Sequence, residues 1–588
     1  MGLESTLLIG KQSLLVNQAA LQTIGHNIAN AGVEGYSRQE IVLASNPNTE
    51  RFLGAGVRVE TVRQKVDRYL NDQIARFKSN EASLAAQAEG VQLADAFLNE
   101  SGIDGGINGA INNFFAAAED LATSPEGAAE RNGLINSAET LVGKFNRLGR
   151  SIEGLQAQVD QDIGRAIKSV NLYAQRIATL NSSITTGEVS GNTENDLRDE
   201  RQRNIESLSE QLGTSVLEEE NGASLVIVAN SVPLIARGIA NKLVGIQDPD
   251  NVVGDSPPTA LKRVIFEDKG NSQINITSRV TGGKIGGLIE FRDKTLKNLL
   301  AEIDTIAATI VNEVNKIHRQ GFGLDGSTNL DFFQPLALKI QRSSSNSTDA
   351  VTGKFNVQSI SANSKIFDST ALTMSDYKIE FETSATFTIT DTDTDVKLNA
   401  TQVSIDGGPL GTDSAVTTFN LIGGSVTAEF EGIRAAIQKF SGDPKSGDSF
   451  NISIRKGAAK SLAFNKLLVA DNNKLATAGT PDSPGDNTSA LAFADLRGKA
   501  VVGRGVVTIS GYLNNIFSNF GALGEKIIEQ HEVADQIKSN LSINREAVSG
   551  VSLDEELAAV ILYQQNFGAS AKMISTVSLL LQQIMDLL

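Results

Sequence analysis

Apolar positions recur at both ends of the chain with a spacing that alternates four and three residues. At the N-terminal end they are Leu3, Leu7, Gly10, Leu14, Asn17, Leu21, Ile24, Ile28 and Ala31, Asn17 being the polar exception. At the C-terminal end they are Leu553, Leu557, Val560, Gln564, Phe567, Ala571, Ile574, Ser578, Leu581, Met585 and Leu588. Such spacing keeps one stripe of a helix against a partner helix. A third stripe runs from Leu513 through Phe520, Ile527 and Ala534 to Val548. It stops at Ser549-Gly550, where glycine suits a left-handed C-cap. Ser552 as N-cap and Glu555 three residues on form a capping box that restarts a helix.

Between Tyr69 and Leu212 the pattern is again helical, with breaks at Ser124-Pro125-Glu126 and from Gly187 to Asn192; a further helix is expected from Ile289 to His318. Two regions alternate instead. In "SVLEEENGASLVIVA", Asn221-Gly222 separates two strand-like runs, a hairpin signal. From Phe332 to Arg455, Tyr377, Ile379 and Phe381 alternate, as do Phe450, Ile452 and Ile454. The expected fold is α+β and multidomain. The N- and C-terminal helices pair as a coiled coil and helical rod, with β-rich domains inserted in the middle. Residues 1–60 and 550–588 would form the terminal coiled-coil core, and 61–212, 288–331 and 490–549 the rod. Residues 213–287 would be a β-rich insert, 332–470 an outer β-rich domain and 471–489 a loop.

Composition narrows the function. Hydrophobic residues make up 40% of the chain and charged residues 21%, which is globular, while aromatics are only 5% and Trp is absent. A net charge of −17 without a dense Lys/Arg cluster argues against nucleic acid and against an anionic membrane surface. The lack of Cys removes disulfides, thiolate chemistry and Cys-ligated zinc. Met1-Gly2-Leu3-Glu4 has no basic opening, and Lys11 and Gln12 interrupt the apolar run, so no cleaved leader is expected. The run "SLLLQQIMDLL" is too short and polar to span a bilayer, so a soluble protein is expected.

Catalytic and metal motifs are incomplete. His26, His318 and His531 each fall in an expected helix, and "HEVAD" from His531 has Asp535 where a zinc-protease helix needs its second His. "DTDTDV", Asp391 to Val396, lacks the Gly and Glu of a calcium loop and reads as a solvated turn, although adventitious cation binding stays open. Gly54-Ala55-Gly56 and Gly503-Arg504-Gly505 are each half of a dinucleotide fingerprint. Glu218 to Glu220 reads as a solvated hairpin end. No catalytic residue, cofactor or metal is assigned.

The stripes remain. With little else at the chain ends to bury them, they suggest packing completed by other subunits. The candidate interface residues are Leu7, Leu14, Leu21, Ile24, Ile28, Leu557, Val560, Phe567, Ile574, Leu581, Met585 and Leu588. Between stripe and rod lies "IGHNIANAGVEGYSRQ". Asn30, Gly32 and Gly35 can take positive φ, letting the helix stop and turn, and Tyr36 starts an extended segment. Gly550 and Ser552 mark the matching joint at the other end.

This stretch resembles the N-terminal signature of the bacterial flagellar axial proteins, through Asn27-Ile28-Ala29-Asn30 and Gly35-Tyr36-Ser37-Arg38-Gln39. The segment from Ser549 to Leu588 is similar to their C-terminal signature. "NDLRDERQRNIESLSEQL" (Asn195 to Leu212), "GGLIEFRDKTL" and "NKIHRQGFGLDG" narrow the resemblance to the hook-associated, hook–filament junction branch. His26 and Val33-Glu34 depart from the usual signature without altering the helix–turn–strand logic. The resemblance implies a structural, non-enzymatic adaptor that forms a short helical ring between hook and filament. It implies as partners other copies of the chain, the hook protein, the next hook-associated protein and an export chaperone at the C-terminal helix. Export through the flagellar type III apparatus to the flagellum, outside the cell, is implied as well. Another axial protein, hook or rod, and a secreted enzyme on an axial scaffold stand as alternatives.

Overall fold

The computed structural model describes the chain apart from residues 1, 47–55, 99–104, 190–192, 220, 254–258, 350–353, 360–362, 422 and 587–588. Leu588, Gly54, Ala55 and Glu220 therefore lie outside the described residues. The chain opens with α1 (Gly2–Asn30) and a hairpin of β1 (Gln39–Ser45) and β2 (Val57–Gln64). Four helices follow: α2 (Arg68–Leu98), α3 (Gly106–Thr123), α4 (Ala128–Glu188) and α5 (Asn195–Gln211). The next antiparallel sheet is β3 (Thr214–Glu218), β4 (Ser224–Val228), β5 (Val232–Ala236) and β6 (Ile239–Ala240). A second is β7 (Lys242–Val253), β8 (Thr259–Glu267) and β9 (Gln273–Asn275). Then come α6 (Gly283–Glu290), a π-helical turn (Phe291–Thr295) and α7 (Leu296–Gln320). After the outer strands the chain returns through short α8 (Ala458–Ser461), α9 (Lys466–Ala470) and α10 (Thr488–Asp495) to long α11 (Ile509–Ser549) and α12 (Leu553–Asp586).

Two separate cores result. The larger spans the helical body. α4, 61 residues long, turns one stripe through Leu134, Leu141, Phe145 and Ile152 inward, and α7 is buried along most of its length. Phe332 meets Phe333 and Phe464 edge-on at centroid separations of 4.8 and 5.0 Å, the favoured geometry for aromatic pairs. Residues Phe332, Phe333 and Phe464 thus belong to the helical body, and the outer strands run only from Lys339 to Ser453, inside the expected 332–470. Their two antiparallel sheets face each other over the smaller core. Tyr377, Ile379 and Phe381 point in from one, and Val426, Ala428 and Phe430 from the other.

One buried cation in the body is fully paired. Arg131 donates Nε and Nη2 to Pro125 O, Nη1 to Asn472 O and Leu475 O, and Nη2 to Thr477 Oγ1. Glu218, expected at a solvated hairpin end, is instead half-buried and held by Arg198 at 2.5 Å and Arg68 at 2.8 Å. The hairpin turn itself falls at Asn221-Gly222 as the sequence indicates.

His318 is a buried tether with a pH consequence. Its Nε2 accepts from Ala476 N at 3.1 Å, so Nδ1 carries the proton and donates to Leu330 O at 2.7 Å. Burial pushes its pKa down to about 4. The folded state then binds fewer protons than the unfolded one between about 6.5 and 4, so this stability is complete above that window and lost as pH falls through it. In urea melts, wild type should lose stability over that range, and His318→Gln, weaker at neutral pH, should lose less of it.

Candidate functional site

The site is the antiparallel pair α1–α12 and the joint that connects it to the helical body. Gly10 lies where a Cβ would stand 2.7 Å from Ile574 Cγ1, Ser13 Oγ is 2.7 Å from Ser570 Oγ, and Asn27 reaches Glu556. The numbers rise on one helix as they fall on the other, which sets the antiparallel register. Val16, Asn17, Ala20, Ile24 and Asn27 are buried on α1, and Glu556, Ser570 and Val577 on α12.

The expected stripe is half of this seam. Ile24 is buried, and Leu7, Leu14, Leu21, Ile28, Val560, Ile574 and Leu581 are half-buried. Leu557 is 54% exposed and Met585 74%, and Phe567 is also exposed. The second line of the seam runs one residue earlier, at Glu556, Tyr563, Ser570 and Val577, seven residues apart. Apolarity could not find it, because two of its members are Glu and Ser. Outside the seam α12 still carries apolar side chains in water: Leu553, Leu557, Ile561, Leu562, Leu579 and Leu580 are all exposed, as are Ile584 and Met585 at its end. Leu8 and Leu15 on α1 are exposed as well.

The joint is a closed polar network built on Asn27. Its Oδ1 accepts from Gln39 N at 3.0 Å and its Nδ2 donates to Gln39 O at 2.9 Å, so the amide takes the place of a neighbouring strand. Oδ1 also accepts from Tyr36 OH at 2.9 Å, and Nδ2 also donates to Glu556 Oε2 at 3.2 Å. Burial, with the nearby carboxylates, raises the Tyr36 pKa and keeps the phenol a neutral donor. Arg38 binds Glu556 through Nε at 2.6 Å and Glu555 through Nη1 at 2.8 Å, and its N–H donates to Ser549 O at 2.8 Å. That last bond satisfies a carbonyl at the end of α11. One residue range thus ties α1, the β1–β2 hairpin, α11 and α12 together.

The N-terminal half of α5 is the anvil beneath it. Asp199 accepts from Ser37 N at 2.9 Å and Ser37 Oγ at 2.7 Å, and burial lifts its pKa to about 6. Asn195 Nδ2 donates to Val62 O at 2.9 Å, and Gln64 Nε2 to Asn195 O at 2.7 Å. Glu206 takes Arg545 of α11 at 2.8 Å and Lys78 of α2 at 3.1 Å. No structural role was assigned beforehand to Asn27, Ser37, Arg38, Asp199 or Glu556, although all five sit inside the signature stretches; their roles depend on pairings that no local pattern displays.

The turn chemistry differs in part from expectation. Gly35 has φ +73 and stands over the Arg203 side chain, whereas Asn30 and Gly32 do not take positive φ. Asn30 remains helical, its Nδ2 donating to His26 O at 2.9 Å. Gly550 is extended, with φ −71 and ψ 162, because the end of α11 is closed by Arg38 rather than by a left-handed residue. Ser552 Oγ accepts from Glu555 N at 3.5 Å, but the Glu555 carboxylate turns to Arg38 instead of completing the capping box. Among the described residues, no group of His, Asp and Glu could hold a metal ion, and no helix is long and apolar enough to cross a membrane.

Residues 91–333 match the family described as flagellar hook-associated protein FlgK helical domain, and residues 546–587 match the C-terminal region of flagellar basal body rod FlgEFG proteins. The chain is 26% identical to flagellar hook-associated protein 1 of Salmonella typhimurium, with 97% of each chain covered. It is 24% identical to the protein of that name from Escherichia coli, again over 97% of both. A solved structure, the flagellar hook junction protein FlgK of Burkholderia pseudomallei, shares the fold with a TM-score of 0.57 at 16% identity, covering 81% of this chain and all of that one.

Proposed function

The chain belongs with the flagellar hook-associated structural proteins, and from that premise we propose that it is a subunit of the hook–filament junction that assembles as a helical ring. The observation that carries this reading is the run of exposed apolar residues on α12, Leu557, Ile561, Leu562, Leu579 and Leu580 among them, outside a seam already filled by α1. A lone subunit leaves those residues in water. Copies arranged head to tail around an axis cover them, and a heterologous contact of this kind generates helical assemblies. Each leucine so covered contributes about 1.5–3 kcal/mol before the cost of ordering is counted.

In this arrangement residues 1–60 and 550–588 form the innermost layer, the helical body the next, and the outer strands project away. The hook protein on one side and the next hook-associated protein on the other are the axial partners. Before assembly the same residues of α12 need cover, which fits an export chaperone that holds an amphipathic helix in a groove. Export through the flagellar type III apparatus completes the reading.

The test replaces Leu557 and Leu580 together with Glu. Both are exposed and neither is in the seam, so the monomer's unfolding transition should be unchanged. Incorporation onto purified hook ends, scored by sedimentation and electron microscopy, should fall at least tenfold. Normal incorporation by the double variant would sink the proposal.

A further inference from the structure

Two stretches that looked inert in the sequence meet in the fold. The Gly503-Arg504-Gly505 turn belongs to the helical body, in a hairpin formed by Ala500–Val502 and Val507–Thr508 just before α11. The Asp391–Asp395 turn belongs to the outer domain, between strands Thr386–Asp391 and Val396–Lys397. All three residues of the first turn have positive φ, at +60, +62 and +84. Glycine adopts that conformation readily and arginine does not, so the flanking glycines hold Arg504 in an unusual pose, with its guanidinium aimed across the domain boundary. There it ion-pairs with Asp391, a carboxylate only 1% exposed, and Nη2 also reaches Ser375 Oγ at 3.3 Å. From the bend that follows the last outer strand, Arg455 binds Asp376 at 2.9 Å and Asp393 at 2.8 Å, while its Nη1 donates to Thr305 of α7 at 3.2 Å. The turn expected to be solvated is thus held by two arginines.

The rest of the boundary is thin and polar. The outer domain has its own core, distinct from that of the body, with Met374 packing against both. Ser344 N donates to Asp250 Oδ1 at 2.7 Å, and Arg319 pairs with Ser369. Between these points a cleft of about 600 Å³ separates α7 from the segment around Phe367 and Leu372. Domain interfaces that are small and polar permit relative motion unless something fixes them.

We propose that the arginine clasp on the Asp391–Asp395 turn is an electrostatic latch that fixes the outer domain's orientation on the helical body, and that opening it lets the domain pivot about the two chain crossings near 334–339 and 453–457. Arg504 is 48% exposed, so salt weakens its half of the latch. Arg455, more buried, retains the domain loosely when Arg504 is lost.

Because the chain contains no Cys, two introduced cysteines are the only labelling sites. Spin labels at Gln161→Cys on α4 and Ser414→Cys on the outer domain report the angle between the bodies as a distance distribution. At low salt the distribution should be single and narrow, and at 1 M salt it should widen at least twofold. Arg504→Gln should show the wide distribution at every salt concentration, while Arg497→Gln, an exposed charge change nearby in sequence, should match wild type. Hydrogen exchange of strands Tyr377–Phe381 and Ser449–Ser453 should stay protected in Arg504→Gln. A narrow distribution in that variant would overturn the latch. So would loss of that protection, which would make the pair part of the outer domain's own folding.

Discussion

Glu556→Ala should release the terminal helix pair from the helical body. Glu556 is 1% exposed, and it accepts from Arg38 at 2.6 Å and Asn27 at 3.2 Å. Its removal leaves the Arg38 guanidinium with Glu555 alone, on the exposed side. Breaking a fully buried charge pair costs about 3–5 kcal/mol. Arg38 keeps some access to water, which lowers the figure here to roughly 2–4 kcal/mol. The effect should be local. Amides of α1 and α12 should exchange at least tenfold faster, while those of α4, whose partners lie in the main core, keep their protection. Glu556→Gln retains an acceptor for Asn27 and should cost about half as much. Assembly should fail in the alanine variant, because the exposed apolar residues of α12 can mate with a neighbour only when the helix is held at a fixed angle. Unchanged exchange in α1 and α12 would show that the seam, not the joint, holds the pair.

The sequence carried the large features of this site and missed its fine register. Period alone placed α1, α11 and α12, and the Asn-Gly turn placed the β3–β4 hairpin, since each is a local property of neighbouring residues. The seam between α1 and α12 was drawn one residue off at every second position. Pattern reading rewards apolar residues, and α12 has them on more than one side: the true seam mixes Val560, Ile574 and Val577 with Glu556 and Ser570, while Leu557, Leu562 and Leu580 stay in water. A helix that must pair within its chain and again with neighbours shows both needs at once, so apolarity alone does not mark the internal side. Polar roles were less legible still. Asn27 acts as a strand neighbour, Arg38 as a cap for another helix, and Asp391 as the seat of a distant arginine. Each depends on residues more than ten positions away, and a turn of Asp and Thr reads the same whether it meets water or a guanidinium.

The crossing of α6 over α2 sets the other large effect. At Gly287 an added Cβ would lie 2.1 Å from Ser83 O and 2.9 Å from Ser83 C and Cα. Those are backbone atoms of the facing helix, so no side chain can rotate away. At Gly90, on α2, a Cβ would fall 2.5 Å from the Phe291 ring, which is itself completely buried. Gly287 lets the helices touch backbone to backbone, and Gly90 makes room for the Phe291 ring, just where the chain enters the π-helical turn. Overpacking a core usually costs 1–3 kcal/mol, and here two helices must separate, so Gly287→Ala should cost about 3 kcal/mol or more. Gly154, exposed in the middle of α4 with no atom within 4 Å of its would-be Cβ, supplies the contrast. There Gly154→Ala should gain roughly 0.5–1 kcal/mol from helix propensity alone. Urea unfolding of the two variants beside wild type should therefore move the midpoint in opposite directions. If Gly287→Ala also raised it, the close crossing would not be a constraint, and the glycines of "GGLIEF" would need a reason outside the folded monomer.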